Sequence, residues 1–355
     1  MLFRILVFIG LCQVVSGQSF RKFSNEFLNI GVDAASLGMG GAVIALTDDV
    51  NSGYWNPAGL LKVEKKQISL MHANYFANIA TYNYAAFATP LDNNSALGVS
   101  LIRFGVDDIL NTTQLIDDQG NIDFDRISLF SAADYAFTVS YARNLPLDGL
   151  SIGANAKIIR RIIGDFASSW GFGIDLGAQF NKGPWQIGLM VRDITTTYNV
   201  WNIDEEEFQS IADAIPGQNQ ELPEETEITI PKLQFGIARS FLFHHDYSLK
   251  AELGFNARFT QTNDLVSSSF MSLSPMAGFE FGYIEMAFLR LGVTNFQLVE
   301  GLDGKDSLNV QPNFGLGFRY KGVQIDYALT DIGDQSVALY SNIFSLKLDL
   351  DIFKR

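Results

Sequence analysis

Three groups of residues in this chain have types and spacings that chemistry uses. The first is histidine. His72, His244 and His245 are the whole set, and imidazole is the usual proton carrier and metal ligand near neutral pH. His244 and His245 stand side by side in a stretch that reads as a tight turn, without fitting partners, so they read as solvated. The second is Asp117-Asp-Gln-Gly-Asn-Ile-Asp-Phe-Asp125. Its carboxylates are the right ligands for calcium, but their order breaks the EF-hand loop, and a solvated acidic loop is the simpler reading. The third is Gly38, Gly40 and Gly41. A phosphate loop would need a following Lys-Ser/Thr and a strand-loop-helix setting, and neither is present. There is no Gly-x-Ser-x-Gly elbow and no His-Glu-x-x-His pair. The only cysteine, Cys12, lies in the N-terminal stretch described next. Thiolate nucleophiles, disulfides and cysteine-ligated zinc are therefore not expected of the exported chain. The expectation is a non-enzymatic protein with no metal and no cofactor.

The elements that carry these residues begin with a leader. Met1–Arg4 is a short positive segment, Ile5–Val15 is apolar, and Val15-Ser16-Gly17 offers small residues for cleavage before Gln18. Residues 1–17 read as a signal peptide. Losing Arg4 takes the formal charge from −14 to −15. A surface this acidic repels nucleic acid, and no basic cluster offsets it. No later stretch is apolar for 18 residues, which excludes spanning helices.

Residues 18–66 read as an N-terminal hatch. Leu37–Leu60 holds five glycines, a Trp and an Asn-Pro step. That is too many breakers for a long helix and too apolar a composition for a disordered tail. Gly38, Gly40 and Gly41 allow positive φ or close backbone approach. Asn56-Pro57 fixes a turn. Asp48 and Asp49 are suited to capping a turn or bonding a wall, and Trp55 is the large apolar anchor of the segment. The segment is expected to be either a fixed plug or a gate that moves when a ligand binds.

From Gln67 the apolar period becomes two. Trp170, Phe172, Ile174, Leu176, Ala178 and Phe180 alternate with Gly171, Gly173, Asp175, Gly177 and Gln179. Leu249, Ala251 and Leu253 alternate with Lys250, Glu252 and Gly254. The strands are read as 67–77, 79–90, 95–105, 134–144, 149–163, 167–181, 185–198, 229–240, 246–260, 275–284, 286–296, 312–320, 322–330 and 341–353. Several run 11 to 15 residues, whereas soluble strands average about 5–6 and tilted membrane strands need about 9–11. Mid-strand charges suit a wet or plugged lumen better than a dry sandwich core. Short turns follow the even-numbered strands, and most long loops follow odd-numbered ones. The expected fold is all-β: a transmembrane antiparallel β-barrel of about 14 strands over residues 67–355, with its hatch inside the lumen, in the outer membrane of a Gram-negative bacterium and in contact with its lipid.

Phe27-Leu-Asn-Ile-Gly-Val-Asp-Ala-Ala-Ser-Leu-Gly-Met-Gly-Gly-Ala, Thr47-Asp-Asp and Tyr54-Trp-Asn-Pro-Ala-Gly-Leu together resemble the opening of the PorV/PorQ family of Bacteroidota outer-membrane proteins. That family is similar in turn to the FadL transporters, whose hatch carries a related Asn-Pro-Ala segment. The resemblance covers about 40 residues. It implies a 14-stranded barrel with a hatch and work in type IX protein secretion, with the translocon or secreted cargo as partners. The chain departs from the pattern in ending Phe353-Lys-Arg, two residues past the usual terminal aromatic.

The loop Asn199–Ile228 carries nine acidic residues and no basic one. Asp204–Ile215 spaces Phe208, Ile211 and Ile215 as a short amphipathic helix, with Asp204, Glu205 and Glu206 in its favoured first turn. It either packs on neighbouring loops or docks a partner through Trp201 and Phe208. Two functions remain: a secretion component whose loops bind cargo, or a FadL-like transporter of a hydrophobic small molecule. The expected lumen faces are mostly small and polar, which disfavours a greasy pocket.

Overall fold

The computed structural model describes residues 24–116, 121–206, 225–300, 306–330 and 340–353. Its strands in chain order are β1 (Gln67–Tyr75), β2 (Ala80–Asp92), β3 (Ser95–Asn111), β4 (Ser128–Asn144), β5 (Leu150–Ile163), β6 (Ala167–Lys182), β7 (Trp185–Arg192), β8 (Thr197–Ile203), β9 (Thr226–Thr229), β10 (Lys232–Phe243), β11 (Tyr247–Arg258), β12 (Val266–Ser267), β13 (Ser272–Tyr283), β14 (Ala287–Glu300), β15 (Asp306–Tyr320), β16 (Val323–Thr330) and β17 (Ser341–Asp349). All pairings are antiparallel, and β1 bonds both β2 and β17, which closes the ring. β7 and β8 share partner β6 and make one crossing. β9 and β10 make the next one, and β12 is a two-residue bridge in a loop. The result is a closed antiparallel barrel of fourteen crossings. Among the described residues no helix is long and apolar enough to cross a membrane; the strands do that.

Alternation sets the two faces. On β6, Trp170 and Phe172 are 53% and 62% exposed, while Ser169, Asp175 and Gln179 are buried. Apolar side chains thus face outward, where lipid would cover them, and polar ones face the lumen. The buried apolar cluster is inside the ring. It joins Val32, Ile44, Trp55 and Leu60 of the N-terminal segment to lumen-facing Met71, Tyr82, Tyr84 and Ile102.

Three sequence expectations need correction. The loops expected at 106–133 and 297–311 are strand at both ends, because β3 and β4 stay paired to Asn111↔Ser128 and β14 and β15 to Glu300↔Asp306. An antiparallel hairpin keeps its ladder beyond the apolar band as long as both backbones satisfy each other. The last strand stops at Asp349 and continues as a 3-10 turn, Leu350–Phe353. Its partner β1 begins at Gln67, opposite Asp349, so no ladder remains beyond it. The strand expected at 185–198 is broken at Asp193–Thr196, where Asp193 and Thr196 adopt φ of 54° and 59°.

Candidate functional site

Residues 24–66 make short turns rather than regular structure, and their bonds run to strands all around the ring. The helical turn Ala34–Gly38 is capped by Asp33, whose carboxylate accepts from Ser36 N. Asp33 also accepts from Ser345 Oγ of β17 at 3.0 Å, and Ala34 N donates to the same hydroxyl at 3.0 Å. Burial pushes the Asp33 carboxyl up to about 6, helped by the charges of Asp49 and Asp326. Asp49 is half-buried, but its bond with Lys347 of β17 outweighs the cost of that burial and holds its carboxyl below the usual range. Within the segment, Trp55 Nε1 donates to Val32 O at 3.1 Å and Tyr54 Oη to Leu28 O at 2.6 Å, with the two rings edge to face at 5.0 Å.

On the opposite wall, the Asn56 amide donates to Ile44 O and Ala178 O, both at 3.0 Å, while its oxygen accepts from Ala58 N. Gln179 donates to Ile44 O and Thr47 O, and Asn155 to Gly53 O. Glu252 of β11, fully buried, accepts from Ala45 N and Leu46 N. A segment bonded to β5, β6, β11 and β17 at once lies inside the barrel as a plug.

The wall is shaped to receive it. A methyl group added at Gly188 would stand 2.2 Å from Ile44 O, and one at Gly292 would stand 2.1 Å from Met39 C. These inward glycines let hatch backbone rest directly on strand backbone. Gly38 lies on Gly315 in the same way, and Gly40 and Gly41 take φ of 65° and 74°.

The plug divides the lumen. Toward the short turns lies a cavity of about 540 Å³ with a charged lining that includes Asp49, Lys62, Lys250, Arg290 and Lys347. Burial pushes the Lys62 ammonium down. Asp48 lies 3.9 Å from Lys250 there, a loose ion pair. Toward the long loops lies a cavity of about 380 Å³, whose floor includes Leu37, Gly40, Gly41, Tyr54 and Trp55.

Beside the second cavity the wall is interrupted. The β6–β7 ladder ends at Leu176↔Val191 and resumes as β6–β8 at Phe172↔Tyr198. On the neighbouring crossing, Ile230 and Pro231 separate β9 from β10, and proline has no N–H to give. Buried Lys157 pins the break, with Asp175 at 2.8 Å and Asp193 at 2.7 Å. The leading end of the hatch docks just beyond, Ser24 Oγ on Glu227 and Asn25 on Thr229. A small void of about 30 Å³ lies between Asp193, Ile230, Pro231, Lys232 and Arg258.

The structure thus brings Gly38, Gly40, Asp49, Asn56 and Pro57 against the wall, packs Gly41 on Trp55 within the segment, and leaves Asp48 at the rim of the cavity toward the short turns. Of the expected partner-binding loop, residues 199–206 and 225–228 are described. Trp201 belongs to β8, where the Arg161 guanidinium covers its ring at 5.1 Å, because β8 extends to Ile203. Asp204, Glu205 and Glu206 follow that strand end, with Asp204 N bonded to Phe166 O. Phe208, Ile211 and the expected helix lie outside the described residues. Glu252, Gln179, Asn155, Arg192 and Lys232 were not singled out as site residues by sequence reasoning. Their signal was a long polar side chain on the lumen parity of an otherwise apolar strand, seen for Glu252 but not given a partner.

No protein-family model matches the chain, and no curated protein sequence matches it. Solved structures do. A FadL homologue of Pseudomonas aeruginosa matches at 12% identity and a TM-score of 0.51, covering 90% of this chain and 98% of that one. The toluene transporter TodX of P. putida matches at 12% identity and 0.54, covering 90% and 98%. The monoaromatic hydrocarbon channel CymD matches at 12% identity and 0.53, covering 90% and 97%. At such identities the likeness is one of fold alone, and the fold of this chain is that of the FadL-like outer-membrane barrels.

Proposed function

We propose that this protein is a hatch-plugged transporter that passes a small molecule across the outer membrane. The observation that carries the reading is the juxtaposition of cavity and wall break. A space of about 380 Å³ lies on the outer side of the plug, a size within the range of about 300–1,000 Å³ usual for ligand sites. Lys232 and Arg258 line both that space and the void at Asp193–Thr196 and Ile230–Pro231. A ligand held above the hatch is then passed on when the hatch, whose leading end docks beside that break, shifts. Two of the structural neighbours named above are a toluene transporter and a monoaromatic hydrocarbon channel, which supports transport over catalysis. A hydrophobic or amphipathic small molecule is the substrate class this reading assigns.

The escort role implied by the PorV/PorQ resemblance gains nothing from the geometry or from the comparisons, and residues 207–224 of the loop that would serve it lie outside the described residues. Uptake of radiolabelled toluene by Gram-negative cells that lack their own FadL-type channel tests the transport reading. Cells producing the protein are expected to take up toluene several-fold faster than control cells. Equal rates contradict the reading.

A further inference from the structure

The outer surface of the wall changes character over β3, β4, β5 and β6. Leu101, Phe137, Ile158 and Phe172, one from each strand in that order, are direct partners from strand to strand, and all four are exposed. Two residues further along each strand comes a second row, Arg103, Tyr135, Arg160 and Trp170, partnered in the same way. The intervening Ile102, Ala136 and Ile159 are buried in the lumen, so the second row also points outward. In the row beyond it, Gly105, Ala133, Ile162 and Ser168, only Ile162 is a large aliphatic residue. Arg160 and Trp170 stand three residues from the ends of β5 and β6 that meet in their turn, and β3 and β4 run on past the row toward their long loop. Tyrosine and tryptophan at the edge of an apolar band mark the level of the lipid headgroups. This row is that edge on the outer side.

The two guanidinium groups of this row differ in what they bond. Arg103 donates to Tyr135 Oη at 3.3 Å and to the two carboxylate oxygens of Asp107 at 2.6 and 2.9 Å. That ion pair is partly exposed, where such pairs contribute little. Arg160 bonds no carboxylate among the described residues. Its guanidinium lies over the Trp170 ring at 4.8 Å and gives one long bond, 3.4 Å, to Ser169 O. Asp165, in the β5–β6 turn, pairs with neither arginine. Most of the N–H donors of Arg160 are therefore left to what lies outside the wall. Arg103 and Arg160 flank Tyr135, two strand spacings or about 10 Å apart at Cα, so both long side chains reach the space over that ring. A planar guanidinium matches phosphate through paired charge-assisted bonds, and basic groups at the membrane surface recruit anionic lipid heads. In a chain whose net charge is −14, two arginines against one carboxylate make this patch locally positive.

We propose that Arg160, with Arg103 beside it, binds the phosphate of an outer-leaflet lipid whose acyl chains lie along Leu101, Phe137, Ile158 and Phe172. The site is on the outside of the barrel. It goes beyond the transport reading and does not depend on it.

The test is native mass spectrometry of the full chain in a non-ionic detergent, with lipid A (a phosphorylated glycolipid), phosphatidylcholine and inorganic phosphate as probes. The wild type is expected to retain lipid A and, at the same concentration, no phosphatidylcholine. Arg160→Gln is expected to weaken that retention about tenfold or more, while the heat-dependent shift of the barrel on a gel stays that of the wild type. If Arg160→Gln loses the gel shift, Arg160→Lys is measured in its place, with weaker retention again expected because lysine lacks the planar fork. Arg239→Gln is the control. It removes a guanidinium that also lies over aromatic rings, Trp185 at 5.0 Å and Phe241 at 4.7 Å, near the short-turn end of β10, and it is expected to bind as the wild type does. Equal losses in Arg160→Gln and Arg239→Gln would mean a general attraction between cations and anionic lipid, and would overturn the site. No retention of lipid A, or retention unchanged in the Arg160 variant, overturns it too. Displacement of lipid A by inorganic phosphate at equal concentration would assign a free-phosphate site and reject the lipid.

Discussion

The Glu252 carboxylate, projecting from the lumen face of β11, accepts the backbone N–H of Ala45 at 3.1 Å and that of Leu46 at 3.0 Å. These two donors belong to an irregular turn that has no ladder of its own, so the barrel wall supplies the acceptor that secondary structure would otherwise supply. A plug built this way is held by separable hooks rather than by a continuous sheet. Each hook can be removed singly.

Glu252→Ala is expected to leave two buried N–H groups unsatisfied, at about 1–3 kcal/mol each. The measurable outcome is a lowered thermal midpoint together with larger or noisier single-channel conductance in planar bilayers. Unchanged conductance would show that the remaining hooks hold the plug on their own.

Gly188→Val is expected to displace the hatch at Ile44, since even one methyl group would stand 2.2 Å from its carbonyl oxygen. Overpacking of this kind costs about 1–3 kcal/mol. Protease accessibility of the segment around Ile44 should rise while the barrel itself stays folded.

Lys157→Met should be among the most damaging lumen substitutions. It leaves Asp175 and Asp193 buried without their cation, a loss of about 3–5 kcal/mol when one partner of a buried pair is removed. Because Asp193 sits at the wall break, the expected signature is faster hydrogen exchange over residues 193–197 before global unfolding begins.

Asp33 gives a pH dependence with a definite sign. Its carboxyl is raised to about 6 in the folded protein, against about 3.9 in an unfolded chain. Between those values the folded state binds the extra proton, so lowering the pH from 7 to 4 should stabilise the hatch through this group. The thermal midpoint of the wild type minus that of Asp33→Asn should rise as the pH falls through 6. A difference that is flat or falls over that window would show that Asp33 does not titrate there.

The barrel was legible because alternation over strands as long as β6 has no other stable reading. The plug was legible in Leu37–Leu60 because glycines and an Asn-Pro step cluster ahead of any strand. The small, polar lumen faces were visible too, but their meaning was not. Gly188, Gly292 and Gly153 are seats for hatch backbone, and seeing that requires knowing which turn lands where. The wall break was half visible. Pro231 cannot donate to a central ladder, yet Asp193–Thr196 reads as ordinary strand until Lys157 is seen to draw Asp193 inward.

The account stands or falls on whether the hatch controls passage. Residues 18–355 contain no cysteine, so Ala34→Cys with Ser345→Cys, at a contact where Ala34 N and Ser345 Oγ lie 3.0 Å apart, ties plug to wall by a single added disulfide. Toluene uptake by cells producing this variant, measured oxidised and then after reduction, is the direct test. Slow uptake when oxidised and recovery on reduction is the predicted result. Uptake that is equally fast in both states would show that the plug is a fixed part of the wall and would contradict the account.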